Sequence, residues 1–266
     1  MMLTRSSALL FLLCWIHSLV GGESQLLFYP ENPVEVSCLI ATESVQEHGQ
    51  KGIYPTFHQQ EFKVLVSVLG DQGDLPLSQL PFKIRLNFKT WKWNFKLNQE
   101  SKSYDVANPG VHAFTAQMAR LIDRPFEVYW GEAGIDLAKS PDLKWIIGEL
   151  SILREMDFKK TLESFLSPIF SLAGQDLHVG ATYPVKTFDS LIPTVSYKLV
   201  QADSNSYQAN WDSVLPVHSI HCKGHIIWKK QQALEIQYES LTTFEERTSS
   251  KDVLKGKILT KIQSAF

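Results

Sequence analysis

Hydrophobic and polar residues alternate with a period of two along several stretches of this chain. The clearest stretch runs from Phe82 to Phe88, and after a slip of one position near Thr90 the alternation resumes from Trp91 to Leu97. A period of two predicts a half-buried strand. The slip predicts a bulge or a tight turn, because a straight strand would direct the two sets of aromatic residues to opposite faces.

Other stretches predict further strands on both sides of the middle of the chain. The residues from Phe62 to Leu69 are rich in valine and leucine and end at Gly70, and β-branched side chains favour a strand there. In the last third, turn-forming residues separate four more apolar stretches that we interpret as strands. These stretches are Val195–Leu199, Tyr207–Trp211, Leu234–Tyr238 and Leu254–Ile262.

The middle of the chain has a different pattern, in which apolar residues are spaced as on one face of a helix. The order of strands, helices and more strands predicts an α+β fold, namely a large curved antiparallel sheet with a helical middle segment packed on it. The predicted middle elements are a helix at Val111–Ile122, a hairpin at 126–137 with Gly134 in its turn, a helix at Leu143–Met156 begun by Ser140 and Pro141, and a helix from Asp157 through Phe165 that Pro168 ends.

The first residues have the pattern of a secretory signal peptide. Arg5 precedes an apolar run from Ala8 to Ile16, and small residues suited to cleavage stand before Glu23. This run is shorter than the roughly 20 residues that a membrane-spanning helix needs, so an uncleaved anchor is disfavoured. We therefore predict a signal peptide at 1–22, export of the mature protein, and no transmembrane segment in the mature chain.

The composition indicates a folded mature protein. Hydrophobic residues make up 44% of the chain and charged residues 20%, which excludes extended disorder. The net charge of -2 gives no overall drive toward nucleic acid, and no nucleic-acid motif is present. We expect one α+β domain at 23–266, with two β-rich halves (about 23–110 and 190–266) as an alternative description.

Two passages resemble a family of uncharacterised bacterial exported proteins and lipoproteins that carries a domain of unknown function. They are Ala119–Trp130, with the sequence ARLIDRPFEVYW, and Thr161–Tyr183, with the sequence TLESFLSPIFSLAGQDLHVGATY. The resemblance covers about half of the chain, mostly Ala113–Trp211, although Ala181–Tyr183 replaces the family's Asp-Ser-Trp. It implies a periplasmic or extracellular protein of the bacterial cell envelope and brings no catalytic residue. Lipid attachment at Cys14 is disfavoured because a leucine precedes it and the apolar run continues past it.

Only Cys38 and Cys222 remain after removal of the predicted leader, one near each end of the mature chain. Exported proteins are found in oxidising compartments, so a disulfide between these two cysteines is one prediction. Such a bond would contribute about 4 to 5 kcal/mol in the chain-entropy model. Two buried free thiols are the other prediction, because the sequence does not show that the sulfur atoms meet.

One cluster has the residue types of a zinc or copper site, namely His218, His221, Cys222 and His225. On a strand His218 and Cys222 face one side, whereas His221 and His225 face the other. Residues four apart on a strand are separated by roughly 13 Å. We therefore expect no metal site here and no cofactor.

Motifs for catalysis are missing from the sequence. We find no Gly-x-Ser-x-Gly, no cysteine protease signature, no His-Glu-x-x-His and no phosphate-binding glycine loop. Glu127, Glu132 and Asp136 lie around the predicted hairpin, where two carboxylates on facing strands would suit glycoside hydrolysis. Solvated turn carboxylates are the commoner arrangement. We predict no catalytic residue.

The strand from Phe82 to Leu97 provides the candidate binding residues. Its aromatic face would line a cavity for a lipid or another apolar molecule, or would simply be core. Its basic face would meet anionic headgroups, or would be solvated. The candidate ligand contacts are Phe82, Phe88, Trp91, Trp93 and Phe95, and the basic surface residues are Lys83, Arg85, Lys89, Lys92 and Lys96.

We derive three hypotheses of function from these features. The first is a non-catalytic exported protein whose curved sheet holds an apolar ligand or docks to an envelope protein. The second is a structural or interaction module with a filled core, which an exposed apolar patch or sheet edge would favour. The third is a hydrolase, which would need polar groups converging in a pocket.

Overall fold

The fold is described from a computed structural model of the chain. The signal peptide predicted at 1–22 and Cys14 lie outside the described residues. The described residues are 25–30, 32–48, 52–70, 80–97, 100–108, 113–150, 158–187, 194–215, 219–230, 232–247 and 253–264.

Strands dominate the described residues, and three helices lie in the middle of the chain. The helices are α1 (Ala113–Ala119), α2 (Pro141–Glu149) and α3 (Phe158–Phe170). The strands are β1 (Val34–His48), β2 (Gly52–Leu69), β3 (Phe82–Leu97), β4 (Glu100–Asp105), β5 (Phe126–Gly131), β6 (Gly134–Ile135), β7 (Thr182–Lys186), β8 (Thr194–Ala202), β9 (Ser206–Leu215), β10 (Ile220–Lys229), β11 (Ile236–Arg247) and β12 (Val253–Ser264).

All twelve strands form one antiparallel sheet. Its order is β6, β5, β3, β2, β1, β12, β11, β10, β9, β8 and β7, and β4 pairs with β3 as well. Pairing of β1 with β12 joins the strands from the two ends of the chain. The large antiparallel sheet predicted from the sequence is therefore present, with helices as a smaller part of the structure.

Strand β3 contains the irregularity that its sequence predicts. Phe88 pairs with Val64 of β2, whereas Thr90 pairs with the preceding residue, Lys63, so Lys89 is the extra residue of a bulge. The bulge restores the side-chain phase. Phe88 and Trp91 therefore face the same side of the sheet, where their rings stack with centroids 4.9 Å apart.

Helix α3 shows that the sheet curls into a trough. Its Glu163 Oε1 accepts a hydrogen bond from the Ile135 backbone N–H on β6 at 3.0 Å, and its Ser167 hydroxyl donates to the Lys186 carbonyl on β7. These strands are at opposite ends of the sheet, which would be roughly 48 Å apart if it were flat. One helix reaches both, so the sheet wraps around α3 and its core-facing side is concave.

The middle elements differ in part from their predictions. The hairpin is confirmed, since Trp130 pairs with Ile135 and Gly134 has a φ of 92°. Pro168 does not end α3, which continues to Phe170. The carbonyl of Pro168 accepts a hydrogen bond from Trp228 Nε1 of β10 at 3.1 Å. Tertiary contact thus holds the last turn against the sheet.

The residues before β1 close one end of the trough. Leu26 and Phe28 are fully buried, and the Phe28 ring centroid lies 4.9 Å from that of Phe82 and 5.1 Å from that of Phe170. The Ala233 backbone N–H donates to the Leu27 carbonyl at 2.8 Å. We call this end, at the start of β3 and the end of α3, the closed end.

Candidate functional site

Burial on the concave face decreases from the closed end toward the other end of the trough, which we call the open end. Along β3, the exposed fraction is 0% at Trp91, 5% at Trp93, 37% at Phe95 and 41% at Leu97. Strands β1, β2 and β12 change in the same direction, from buried to half-buried. The concave face therefore continues past the packed core as an accessible surface.

Strand register defines this surface as three cross-strand rows, which together we call the open face. The first row lies next to the packed core, and the other two lie further toward the open end. The rows are Trp93, Gln60, Ile40, Thr260, Ser240, Gly224 and Trp211; then Phe95, His58, Thr42, Ile258, Thr242 and Cys222; then Leu97, Thr56, Ser44, Gly256 and Phe244.

The two faces of these strands differ in charge. Between β3 and β9, no position of the open face holds Asp, Glu, Lys or Arg. The rows continue on β4, where Lys102 pairs with Phe95 and Glu100 pairs with Leu97. The outer face of the same strands carries cross-strand ion pairs that alternate in sequence with the neutral residues. The pairs are Lys257 with Glu43 at 2.8 Å, Lys261 with Glu239 at 2.9 Å and Lys255 with Glu245 at 3.5 Å. The open face is therefore neutral from β3 to β9 and is bordered on β4 by Lys102 and Glu100.

His58 is the one basic side chain of the open face between β3 and β9. It lies between Phe95 and Thr42 in the second row. Desolvation by burial lowers its pKa from the ordinary value of 6.5, so the neutral imidazole is favoured near pH 7. The part of the open face from β3 to β9 is thus uncharged at neutral pH.

We expect the free energy of unfolding to fall as the pH drops below about 6.5, because the unfolded chain takes up the His58 proton before the folded chain does. The contribution of His58 to the free energy of unfolding is complete above the pKa that His58 has in the unfolded chain. It is lost as the pH falls through the lower pKa that His58 has in the folded protein. Urea unfolding between about pH 7.5 and pH 5 should show a smaller loss for His58→Gln than for the unmodified protein. His225→Gln, on the outer face, is the control, and equal losses in all three proteins would contradict the expectation.

A small cavity, which we call the boundary cavity, lies where the packed core meets the open face. Its volume is about 70 Å³. Its lining is uncharged and comprises Cys38, Ile40, Ser164, Phe165, Thr187, Val195, Trp211, Cys222, Tyr238, Ser240, Thr242, Ile258 and Thr260.

Trp211 is held at this cavity by two stacked rings. Its ring centroid lies 4.6 Å from that of Tyr197 and 5.3 Å from that of Tyr238. The indole lies over Gly224, where a Cβ atom would come within 2.2 Å of it. Trp211 Nε1 is buried without a hydrogen-bond partner among the described residues. A fixed, unused donor therefore belongs to a residue of the cavity wall.

The predicted ligand contacts on β3 lie in two different environments. Phe82, Phe88, Trp91 and Trp93 are at most 5% exposed, since other rings already cover their surfaces. Phe95 alone among the five is exposed. The accessible part of the predicted surface is therefore Phe95 and the strands beside it, whereas the four other rings are part of the packed core.

The predicted basic face of β3 lies on the outer side, and carboxylates on neighbouring segments pair with most of it. Hydrogen bonds from Lys83 and Arg85 lower the pKa of Glu127. Lys96 is exposed near the end of the strand. The pairs are Lys83 and Arg85 with Glu127 at 2.6 and 2.8 Å, Lys89 with Asp123 at 2.5 Å and Lys92 with Asp105 at 3.5 Å.

Cys38 and Cys222 are both buried free thiols in the structure. They lie on β1 and β10, with β12 and β11 between them, and four positions apart along the strands. A disulfide needs Cα atoms within about 7 Å. Burial also raises the pKa of Cys38, which keeps its thiol protonated. Of the two predictions made for these cysteines, the structure therefore agrees with two buried free thiols.

The histidine cluster lies on a strand where it is described. His221 and His225 are on the outer face of β10, whereas Cys222 faces the core, and His218 lies outside the described residues. Among the residues with assigned positions, no three His, Cys, Asp or Glu side chains are placed to hold a metal ion. His221 Nε2 instead lies 2.6 Å from Asp212 Oδ1.

Two larger depressions have charged linings. One of about 1030 Å³ lies on the outer face of β7 to β11 and includes Lys198, Asp212 and Lys223. The other, of about 560 Å³, lies beside the last turn of α3 and includes Glu132 and Lys186. The boundary cavity is smaller than both but is continuous with an uncharged surface.

Comparisons with known proteins give only distant similarity. No family model and no curated protein matches the chain. A lipovitellin structure, described in terms of lipid–protein interactions, has a TM-score of 0.41 and 9% identity over 88% of this chain and 25% of lipovitellin. DynF from the dynemicin biosynthesis pathway of Micromonospora chersina has a TM-score of 0.22 and 6% identity over 92% of this chain and 86% of DynF. The chain thus spans about a quarter of lipovitellin's length.

Within the described ranges, no helix combines the length and the apolar character needed to cross a bilayer.

Proposed function

We propose that this protein is an exported, non-catalytic protein of the cell envelope that binds an apolar, lipid-like ligand on its open face. The observation that carries the proposal is the run of uncharged positions from β3 to β9 on the concave side, at one edge of which Phe95 and Leu97 remain exposed. Lys102 and Glu100 of β4 border this edge. Covering apolar surface contributes about 25 cal/mol for each Å² removed from water. Export is part of the proposal and is supported by the predicted signal peptide at 1–22.

The size of the boundary cavity indicates how such a ligand would lie. Ligand pockets usually have volumes of about 300 to 1,000 Å³. The boundary cavity, at about 70 Å³, accommodates only a small part of a lipid. The ligand would therefore lie along the open face, with one end at the cavity. This geometry also explains why the packed rings at Phe88 and Trp91 need not move.

The imidazole and the thiol of the open face are too far apart to act as a catalytic pair. These two groups belong to His58 and Cys222. They share a row but are separated by β1, β12 and β11, which corresponds to roughly 19 Å along the sheet. A catalytic pair needs hydrogen-bond contact or one bridging water.

The proposal is tested with N-phenyl-1-naphthylamine, an uncharged dye that fluoresces in apolar surroundings, added to the mature protein. We expect saturable binding, and we expect Phe95→Glu to weaken it more than about tenfold, because a carboxylate would be desolvated beneath the ligand. Lys96→Glu places the same charge on the next residue of β3, facing the other side, and is the matched control.

The two variants separate the outcomes of this experiment. Equal loss in both would contradict a site on the concave face, and absence of saturable binding to the unmodified protein would refute the proposed function. In that last case the exposed Phe95 and Leu97 would instead favour the interaction module, which co-purification from envelope extracts would then examine.

A further inference from the structure

Strand β4, at the border of the open face, carries a cation beside the exposed ring of β3. Lys102 of β4 pairs in register with Phe95, so the two side chains lie on the same face of the sheet. Tyr104, two residues further along β4, pairs with Trp93 and packs against the core. The side chain of Lys102 is therefore on the concave side, next to the accessible ring of Phe95.

Lys102 has no carboxylate partner, unlike most of the lysines of the neighbouring strand β3. Lys83, Lys89 and Lys92 lie on the outer face and pair with carboxylates of nearby segments. Lys102 forms no ion pair with any residue that the structure describes. It is exposed, so its ammonium group is available to a ligand that lies on the concave side.

The second row of the open face connects Lys102 with the boundary cavity. The members of this row, from β4 to β10, are Lys102, Phe95, His58, Thr42, Ile258, Thr242 and Cys222. The last three line the boundary cavity. From Lys102 to Ile258 the row crosses from β4 to β12, which corresponds to roughly 19 Å along the sheet. A long acyl chain in extended form covers this distance.

Glu100 also lies on the concave side of β4, but it belongs to the third row. It pairs with Leu97, and none of the described residues of that row lines the boundary cavity. Residues two apart on a strand are separated by roughly 7 Å. Glu100 and Lys102 do not form an ion pair with each other. A chain that reaches the cavity along the second row therefore begins at the cation and not at the carboxylate.

The middle of the second row adds no charge near neutral pH. His58 lies there, and burial lowers its pKa, which favours the neutral imidazole. Lys102 is therefore the cation of this row. Complementary charge at that end favours a ligand whose polar group is an anion.

We infer that the ligand is a single-chain lipid with an anionic headgroup, which lies at Lys102 while the chain follows the second row toward the boundary cavity. The inference rests on the proposed function and narrows it to a ligand class, with Lys102 as a specificity-determining residue. A carboxylate and a phosphate monoester share the required chemistry.

The first test compares amphiphiles of equal chain length as competitors of bound N-phenyl-1-naphthylamine, at neutral pH and below their critical micelle concentrations. They are laurate, dodecyl phosphate and dodecyltrimethylammonium. We expect the better of the two anions to displace the dye at a concentration about fivefold lower than the cation does, and that anion identifies the headgroup. Equal or stronger displacement by the cation would overturn the inference while leaving the proposed function intact. Failure of the dye itself to bind would overturn both.

A second measurement examines Lys102 directly. Lys102→Met removes the charge and keeps an unbranched side chain. We expect the better anion to bind about fivefold more weakly to this variant, with the affinity of dodecanol unchanged. Lys96→Met is the matched control, because Lys96 is an exposed lysine on the outer face of β3. Unchanged anion affinity in Lys102→Met, or an equal loss in both variants, would refute the inference.

Salt dependence separates the charge of Lys102 from the packing of its side chain. The Debye length falls from about 30 Å at 0.01 M ionic strength to about 8 Å at 0.15 M. We therefore expect the loss of anion affinity in Lys102→Met to be smaller at the higher ionic strength. A loss of the same size at both would show that the lysine side chain acts through packing, which would overturn the inference.

Discussion

Replacing Phe28 by alanine is expected to lower the free energy of unfolding by about 3 to 5 kcal/mol. The ring is fully buried at the closed end of the trough, between Phe82 and Phe170. Its loss would remove contacts with both the sheet and α3, and the surrounding rings would fill the space only in part. Urea unfolding followed by tryptophan fluorescence measures the change.

The neighbouring residue provides the control for this prediction. Tyr29 is only partly buried, and Tyr29→Ala is expected to cost much less than Phe28→Ala. If the two substitutions cost the same, the segment before β1 would not be packed as the structure describes. The comparison therefore tests whether residues directly after the predicted leader form part of the core.

Gly224→Ala is expected to destabilise the protein by about 1 to 3 kcal/mol and to weaken dye binding. A Cβ atom at this position would lie 2.2 Å from the Trp211 ring and 2.3 Å from the carbonyl oxygen of Glu239. The carbonyl belongs to the paired strand β11 and has little freedom to move. The indole would therefore have to leave its place at the boundary cavity.

Gly131→Ala is the matched control, because no atom lies within 4 Å of the Cβ that this substitution would add at the end of β5. Its stability and its dye affinity should remain close to those of the unmodified protein. Unchanged stability in both variants would show that Gly224 has room for a side chain, which contradicts the close approach of Trp211.

The local sequence pattern was sufficient to predict the bulge in β3, and it also contained a signal for the neutral open face. The bulge in β3 follows from the phase slip near Thr90, because side-chain direction alternates regardless of what the strand packs against. The neutral open face also has a signature in the sequence. In β12, lysines occupy 255, 257 and 261, whereas the residues at 254 to 264 with even numbers are uncharged. This alternation of charge is the signal in the sequence that indicates the surface.

The end of α3 shows where local rules were insufficient. Proline removes a backbone donor and usually stops a helix. Here the Pro168 carbonyl binds Trp228, and the Ser167 hydroxyl binds the Lys186 carbonyl, so contacts from distant strands hold the last turn. Neither partner is visible from the residues around the proline.

The sequence by itself determined the strands, the antiparallel sheet and the two-sided character of β3, because these depend on the alternation of neighbouring residues. Only the tertiary structure decided which aromatic residues are core and which remain accessible. That choice depends on how far α3 extends along the trough and on which strands its side chains reach. Phe88 and Phe95 have the same chemistry and lie on one strand, but a helix ring packs against Phe88, and Phe95 lies beyond the packed rows. Burial is set by partners distant in sequence, and a local pattern contains no record of them.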